Sequence, residues 1–148
     1  MMDAFTPAAV SNAERFERIG VTADPRTAAA TRDEFSKWLR SAFNLDPYRA
    51  SDLVLASYEA LANIAEFAYL SMGRTGTMDI RAAYDSMESA LSVTVADRGL
   101  WRTASPATND RSRGRGIALM KALADRASIQ TSTGGTTVRL VWTGVQRL

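Results

Sequence analysis

Apolar positions recur along this chain with two different periods, and the changes of period mark out its elements. "RFERIGVTAD", residues 15–24, alternates weakly and predicts a first strand. From Asp24 to Phe43 the period lengthens. Phe35, Trp38, Leu39 and Ala42 fall at three- and four-residue steps behind a capping Asp24 and Pro25, which predicts a helix. Asp46-Pro47 repeats that start signal and predicts a second, longer helix running to about Met72, with Gly73 and Gly76 ending it. Strands are expected over Met78–Tyr84 and over Ala90–Ala96, the second centred on the β-branched "LSVTV". Residues 97–113 read as a loop, residues 116–126 as a third helix, and "ASIQTSTGGTTVRLVW" as a hairpin turning at Gly134-Gly135. Residues 1–14 hold no period and are expected to be a flexible terminus, which leaves 15–148 as a single domain. Helices and antiparallel strand pairs in separate runs predict an α+β fold: a two-layer sandwich of a mixed, mainly antiparallel sheet with helices on one face.

Composition narrows the chemistry. The hydrophobic share of 46% and charged share of 23% suit a globular domain. No apolar run approaches the roughly 18 residues of a membrane span, and the N-terminus lacks the basic start and apolar centre of a signal peptide. The expectation is a cytoplasmic protein with no membrane partner. The chain has no cysteine and no histidine. That excludes a disulfide framework, a thiolate nucleophile, a Ser-His-Asp triad and the usual zinc sites. Any metal must sit among oxygen ligands, which points to magnesium or calcium. A net charge of +2 is too small to argue for direct nucleic-acid binding, although Arg98, Arg102, Arg111, Arg113 and Arg115 crowd one segment.

Four stretches carry candidate chemistry, each with a plainer alternative. In the second helix, a 100-degree wheel puts Asp52, Asn63 and Glu66 within roughly 40 degrees of Glu59. This is either a solvated polar stripe, or a carboxylate and a carboxamide aimed together at a ligand. In "VADRGL", Asp97 ends a strand and Gly99 follows, which is either a simple turn or an acceptor for an exocyclic amine beside a glycine that admits a flat ring. "RSRGRGIALMKALAD" is neither a P-loop nor a dinucleotide fingerprint. It places glycines at a helix N-terminus, where free N–H groups favour an anion, with Arg113 and Arg115 as further donors; the alternative is a basic loop. In "GTTVRLVW", Thr136 and Thr137 either satisfy strand propensity or offer a hydroxyl to a pocket.

Taken in order, these stretches resemble the nucleotide-binding boxes of the GHKL (histidine kinase-like) ATPase superfamily, and within it the bacterial anti-sigma factor serine-protein kinases. "DLVLASYEALANIAEFAY" resembles the N box, "VADRGL" the first glycine box, "RGRGIALMKALAD" the second and "GTTVRLVW" the closing strand; together they span about residues 16 to 143. The resemblance implies the ATP-binding GHKL sandwich and a kinase that uses ATP and Mg²⁺. It implies Glu59 as general base, Asn63 as the Mg²⁺ ligand, Asp97 as the adenine-binding carboxylate beside Gly99, and Thr136 supporting the base. Arg113, Gly114, Arg115 and Gly116 would grip the phosphates. It further implies a substrate serine on an anti-anti-sigma protein of the STAS fold, sequestration of an RNA polymerase sigma factor, and a homodimer. The chain departs from the pattern at Leu100-Trp101, where a second glycine is usual, and at Phe67, where a histidine often stands. The first departure leaves open a regulatory binding protein of the same fold with an impaired nucleotide pocket and no catalysis.

Overall fold

The computed structural model describes residues 15–99 and 116–148, apart from the side chain of Ser71. The predicted terminus 1–14, most of the predicted loop, and Leu100, Trp101, Arg113, Gly114 and Arg115 lie outside those residues.

Strand β1 (Arg15–Thr22) leads into helix α1 (Pro25–Ala42). The Asp24 carboxylate accepts from the Thr27 N–H at 2.7 Å and satisfies a donor that the helix start leaves open. That bond is the main cause holding the Asp24 carboxyl below its usual value. Helix α1 buries Ala28, Phe35, Leu39 and Ala42, and Phe35 packs with Phe16 and Trp38 at ring-centre separations of 5.5 and 6.0 Å. A two-residue strand, β2 (Phe43–Asn44), follows. It is too short to show a period in the sequence.

Helix α2 (Pro47–Asn63) starts as predicted, with the Asp46 carboxylate accepting from the Arg49 N–H at 2.9 Å. It does not run to Met72 as one α-helix. Ile64–Ala68 form a π-helical turn and Leu70–Met72 a 3-10 turn, stopped at left-handed Gly73 (φ 64°). The wider π turn breaks the 100-degree wheel after Asn63, and Glu66 comes out exposed.

Strands β3 (Thr77–Asp85) and β4 (Ala90–Asp97), the helix 116–123 (α3), and strands β5 (Arg126–Ser132) and β6 (Gly135–Trp142) complete the main body; β7 (Gln146–Arg147) pairs with β2. The sheet order is β1-β3-β4-β6-β5, and every neighbouring pair is antiparallel. The expected mixed sheet is therefore antiparallel throughout among the described residues. Both hairpins reverse the chain directly, and β1 meets β3 in the opposite sense. Alternate residues of β4 (Leu91, Val93, Val95, Asp97) are buried, the pattern of a strand with one face under a helical layer.

Two sequence boundaries shift. The hairpin turns at Thr133-Gly134, because Gly135 already pairs with Ser132 as the first residue of β6. Helix α3 stops at 123, not 126. There the Trp142 indole N–H donates to the Leu123 carbonyl at 2.9 Å. The Asp125 carboxylate accepts from the Thr143 N–H at 2.8 Å, the Thr143 hydroxyl at 3.1 Å and Arg49 Nη2 at 3.0 Å. These bonds turn the chain into β5 and tie the start of α2 to the end of β6.

The Thr143 N–H is the main cause holding the Asp125 carboxyl below its usual value of 3.8, with the Thr143 hydroxyl and the Arg49 guanidinium adding to it. A depressed carboxyl contributes stability that is complete above its unfolded value and fades as pH falls through the folded one. Asp125→Asn should therefore melt below the wild type near neutral pH, and the gap should close below pH 3.8. Thermal melts across pH 3 to 7 check this; a gap of constant width would remove the carboxylate from the role.

Candidate functional site

The last α-helical turn of α2 presents Glu59 and Asn63 one turn apart. Glu59 is half-buried, and Asn63 is only 6% exposed. Of the predicted polar stripe, Asn63 is buried and Glu59 half-buried beside the first residue of α3, while Glu66 is exposed. A methyl group on Gly116 would lie 3.0 Å from Asn63 Nδ2, 3.3 Å from Glu59 Oε1 and 3.4 Å from Asn63 Oδ1. Both side chains therefore converge on the space beside Gly116, where a methyl group would press on their tips. Among the described residues the Nδ2 of Asn63 is buried with no hydrogen-bond partner. A buried donor left unpaired costs about 1–3 kcal/mol, so this position calls for a further polar partner.

A second cluster forms at the end of β4. Asp97 is 5% exposed, and its Oδ1 accepts from the Gly99 N–H at 2.8 Å. Cross-strand register sets Met78, Asp97 and Thr136 side by side, and directly opposite residues share one face of a sheet. That face is the helix side, where Thr136 is 2% exposed and Met78 fully buried. Thr137, the other candidate hydroxyl, is half-buried on the opposite face. Backbone approach here is close. A methyl on Gly99 would sit 2.2 Å from the Ala68 carbonyl oxygen, and one on Gly135 would sit 1.9 Å from that of Asp97. Gly135 also has φ 139°, a conformation side chains rarely adopt.

Glu59, Asn63 and Gly116 thus meet at one point, and Asp97, Gly99 and Thr136 at another. The π-helical turn joins them, since it begins after Asn63 and ends against Gly99. A groove of about 560 Å³ opens beside Asp97 along Gln130, Thr131, Ser132, Gly134, Gly135 and Thr137. Glu59 and Asn63 do not line it, so the site is defined by its converging side chains and not by that volume. No cluster of three carboxylates able to hold a metal exists among the described residues. Asn63 offers one neutral amide oxygen, which suits an ion already carried by phosphates. The sequence reading missed Gly135 and Tyr69. A glycine pair before a strand reads as its turn, and a lone tyrosine at a helix end reads as packing.

Residues 21–142 match the histidine kinase-like ATPase domain, and the chain belongs to that family. Among solved structures it is similar to the RsbU and RsbW domains of Rv1364c from Mycobacterium tuberculosis, with a TM-score of 0.68 and 23% sequence identity. The match covers 90% of this chain and 32% of that one, and at this identity the likeness is one of fold. The fold and the family together define a GHKL-type ATPase domain. Among the described residues no helix is long and apolar enough to cross a membrane.

The two crowded glycines should respond differently to alanine. At Gly135 the methyl meets backbone and the φ is positive, so Gly135→Ala should cost more than about 2 kcal/mol in urea unfolding. At Gly116 the methyl meets only side-chain tips. Gly116→Ala should cost less than about 1 kcal/mol, yet displace Glu59 and Asn63. Equal destabilisation by the two changes would contradict this packing.

Proposed function

We propose that the protein is an ATP- and Mg²⁺-dependent serine-protein kinase that acts as an anti-sigma factor. It phosphorylates a serine of a STAS-fold anti-anti-sigma protein and, in its other state, sequesters an RNA polymerase sigma factor. The observation that carries this reading is the convergence on Gly116 of Glu59 and of buried Asn63, whose Nδ2 has no partner among the described residues. Family membership supports nucleotide binding, and the order of the boxes along the chain supports the serine-kinase branch. A solved relative in fold includes an RsbW domain.

In this reading Asp97 accepts from the adenine amine, while Thr136 supports the ring and Gly99 lets it approach. Asn63, with the phosphates, holds Mg²⁺, which when bound neutralises charge on the transferring group. Arg113, Gly114, Arg115 and the N–H groups at the start of α3 grip the phosphates. Glu59 takes the proton from the attacking serine hydroxyl. Positioning and charge neutralisation supply most of the rate. The kinase works in the cytoplasm as a homodimer.

The test uses ATP labelled at the γ-phosphate and a candidate STAS partner. Glu59→Ala should bind ATP within about twofold of wild type and transfer phosphate at least about 100-fold more slowly. Normal transfer by that variant would falsify the base assignment. Asn63→Ala should weaken Mg²⁺-dependent ATP binding by over about tenfold, roughly the worth of one charge-assisted contact. A wild type that binds ATP and the partner but transfers nothing would be a non-catalytic regulator.

A further inference from the structure

Tyr69, the residue that follows the π-helical turn, is buried to 7% exposure yet carries a hydroxyl. That hydroxyl accepts from the backbone N–H of Arg98 at 3.1 Å and donates to the carbonyl of Thr77 at the start of β3. Its ring fills the space beside Gly76, where a methyl would come within 2.0 Å of Cε1. One residue earlier, the Ala68 carbonyl lies against Gly99. The chain therefore touches the segment Asp97–Arg98–Gly99 twice from the end of the π turn.

The Arg98 N–H belongs to the peptide unit that joins Asp97 to the turn, so the bond to Tyr69 holds the backbone from which the Asp97 side chain springs. The Arg98 side chain is tethered as well. Its Nη2 lies 3.3 Å from Asp79 Oδ2 and its Nη1 3.4 Å from Thr77 Oγ1. Asp79, 5% exposed, also accepts from the Gly20 N–H at 2.7 Å, where β1 shifts register against β3. One peptide is thus held by a phenol on its backbone side and by a buried carboxylate through its side chain. Hydrogen bonds weaken steeply with distance and angle, so a carboxylate that reads a base needs its backbone held in this way.

We infer that Tyr69, with the Arg98 side chain as a second tether, is a positioning residue for base discrimination. It acts through the Asp97–Arg98 peptide and does not touch the nucleotide. The inference rests on the reading that Asp97 accepts from adenine. Removing the phenol hydroxyl leaves the Arg98 N–H without that acceptor and loosens the N–H side of a peptide whose carbonyl stays packed on Gly135, while a phenylalanine ring keeps the packing on Gly76.

The test measures binding of Mg²⁺-ATP, Mg²⁺-GTP and inorganic tripolyphosphate to the full chain, with thermal melts on the same samples. Tyr69→Phe should weaken ATP by about tenfold, the scale of one misplaced hydrogen bond. GTP and tripolyphosphate should stay within about twofold, so that the ATP preference collapses. The KM for ATP should rise while kcat holds. Arg98→Ala, at a side chain 62% exposed, should narrow the same preference by about threefold, and decides alone if Tyr69→Phe fails to fold. A wild type with no preference for ATP over GTP would remove Asp97 from adenine recognition, and the inference with it. A wild type that prefers ATP, with variants that lose all three ligands equally or keep the preference, overturns the role of Tyr69 and leaves Asp97 in place.

Discussion

The site depends on backbone packed against backbone at the end of β4. The Ala68 carbonyl closes on Gly99 and the Asp97 carbonyl closes on Gly135, each nearer than a methyl group permits. Three separate pieces of chain are brought together there: the end of the α2 region, the end of β4 and the start of β6. Only glycine can stand at two of those positions. The buried Asp97 carboxylate accepts from the peptide N–H of Gly99, a donor that this close packing brings within reach.

The π-helical turn is the device that lets one helix serve both ends of the site. An unbroken α-helix would have carried Glu66 back round to the face of Glu59 and Asn63. The widened turn leaves Glu66 in solvent and buries Phe67, Ala68 and Tyr69 in succession. Such turns are frequent at functional sites, where an added residue redirects side chains without ending the helix. Phe67 here is a buried apolar residue.

Much of this was legible in the sequence, for identifiable reasons. Asp24-Pro25 and Asp46-Pro47 announced both long helices because a cap and a proline act locally. The run Leu91–Val95, rich in β-branched residues, announced a strand, because such side chains favour extended backbone. The pairing of Glu59 with Asn63 followed from helical geometry, but a wheel gives direction and not depth, so the burial of Asn63 depended on where Gly116 would come to rest. Gly135 looked like half of a turn because its close contact is with Asp97, far away in sequence. The early stop of α3 was hidden for a similar reason: the partners of Asp125 are Thr143 and Arg49, neither nearby along the chain. Strands β2 and β7 carry no signal of their own, being held by each other.

The anchoring of α3 at its far end has a mechanical corollary. Eight described helical residues span about 12 Å. The indole bond at Leu123 and the Asp125 clamp fix one end, Met120 is fully buried between, and Gly116 at the other end lies against the tips of Glu59 and Asn63. A tilt of about ten degrees about Leu123 would carry Gly116 through about 2 Å. The same tilt would shift Met120 within the core, so the packing of the sandwich holds the spacing between Gly116 and the Glu59–Asn63 pair.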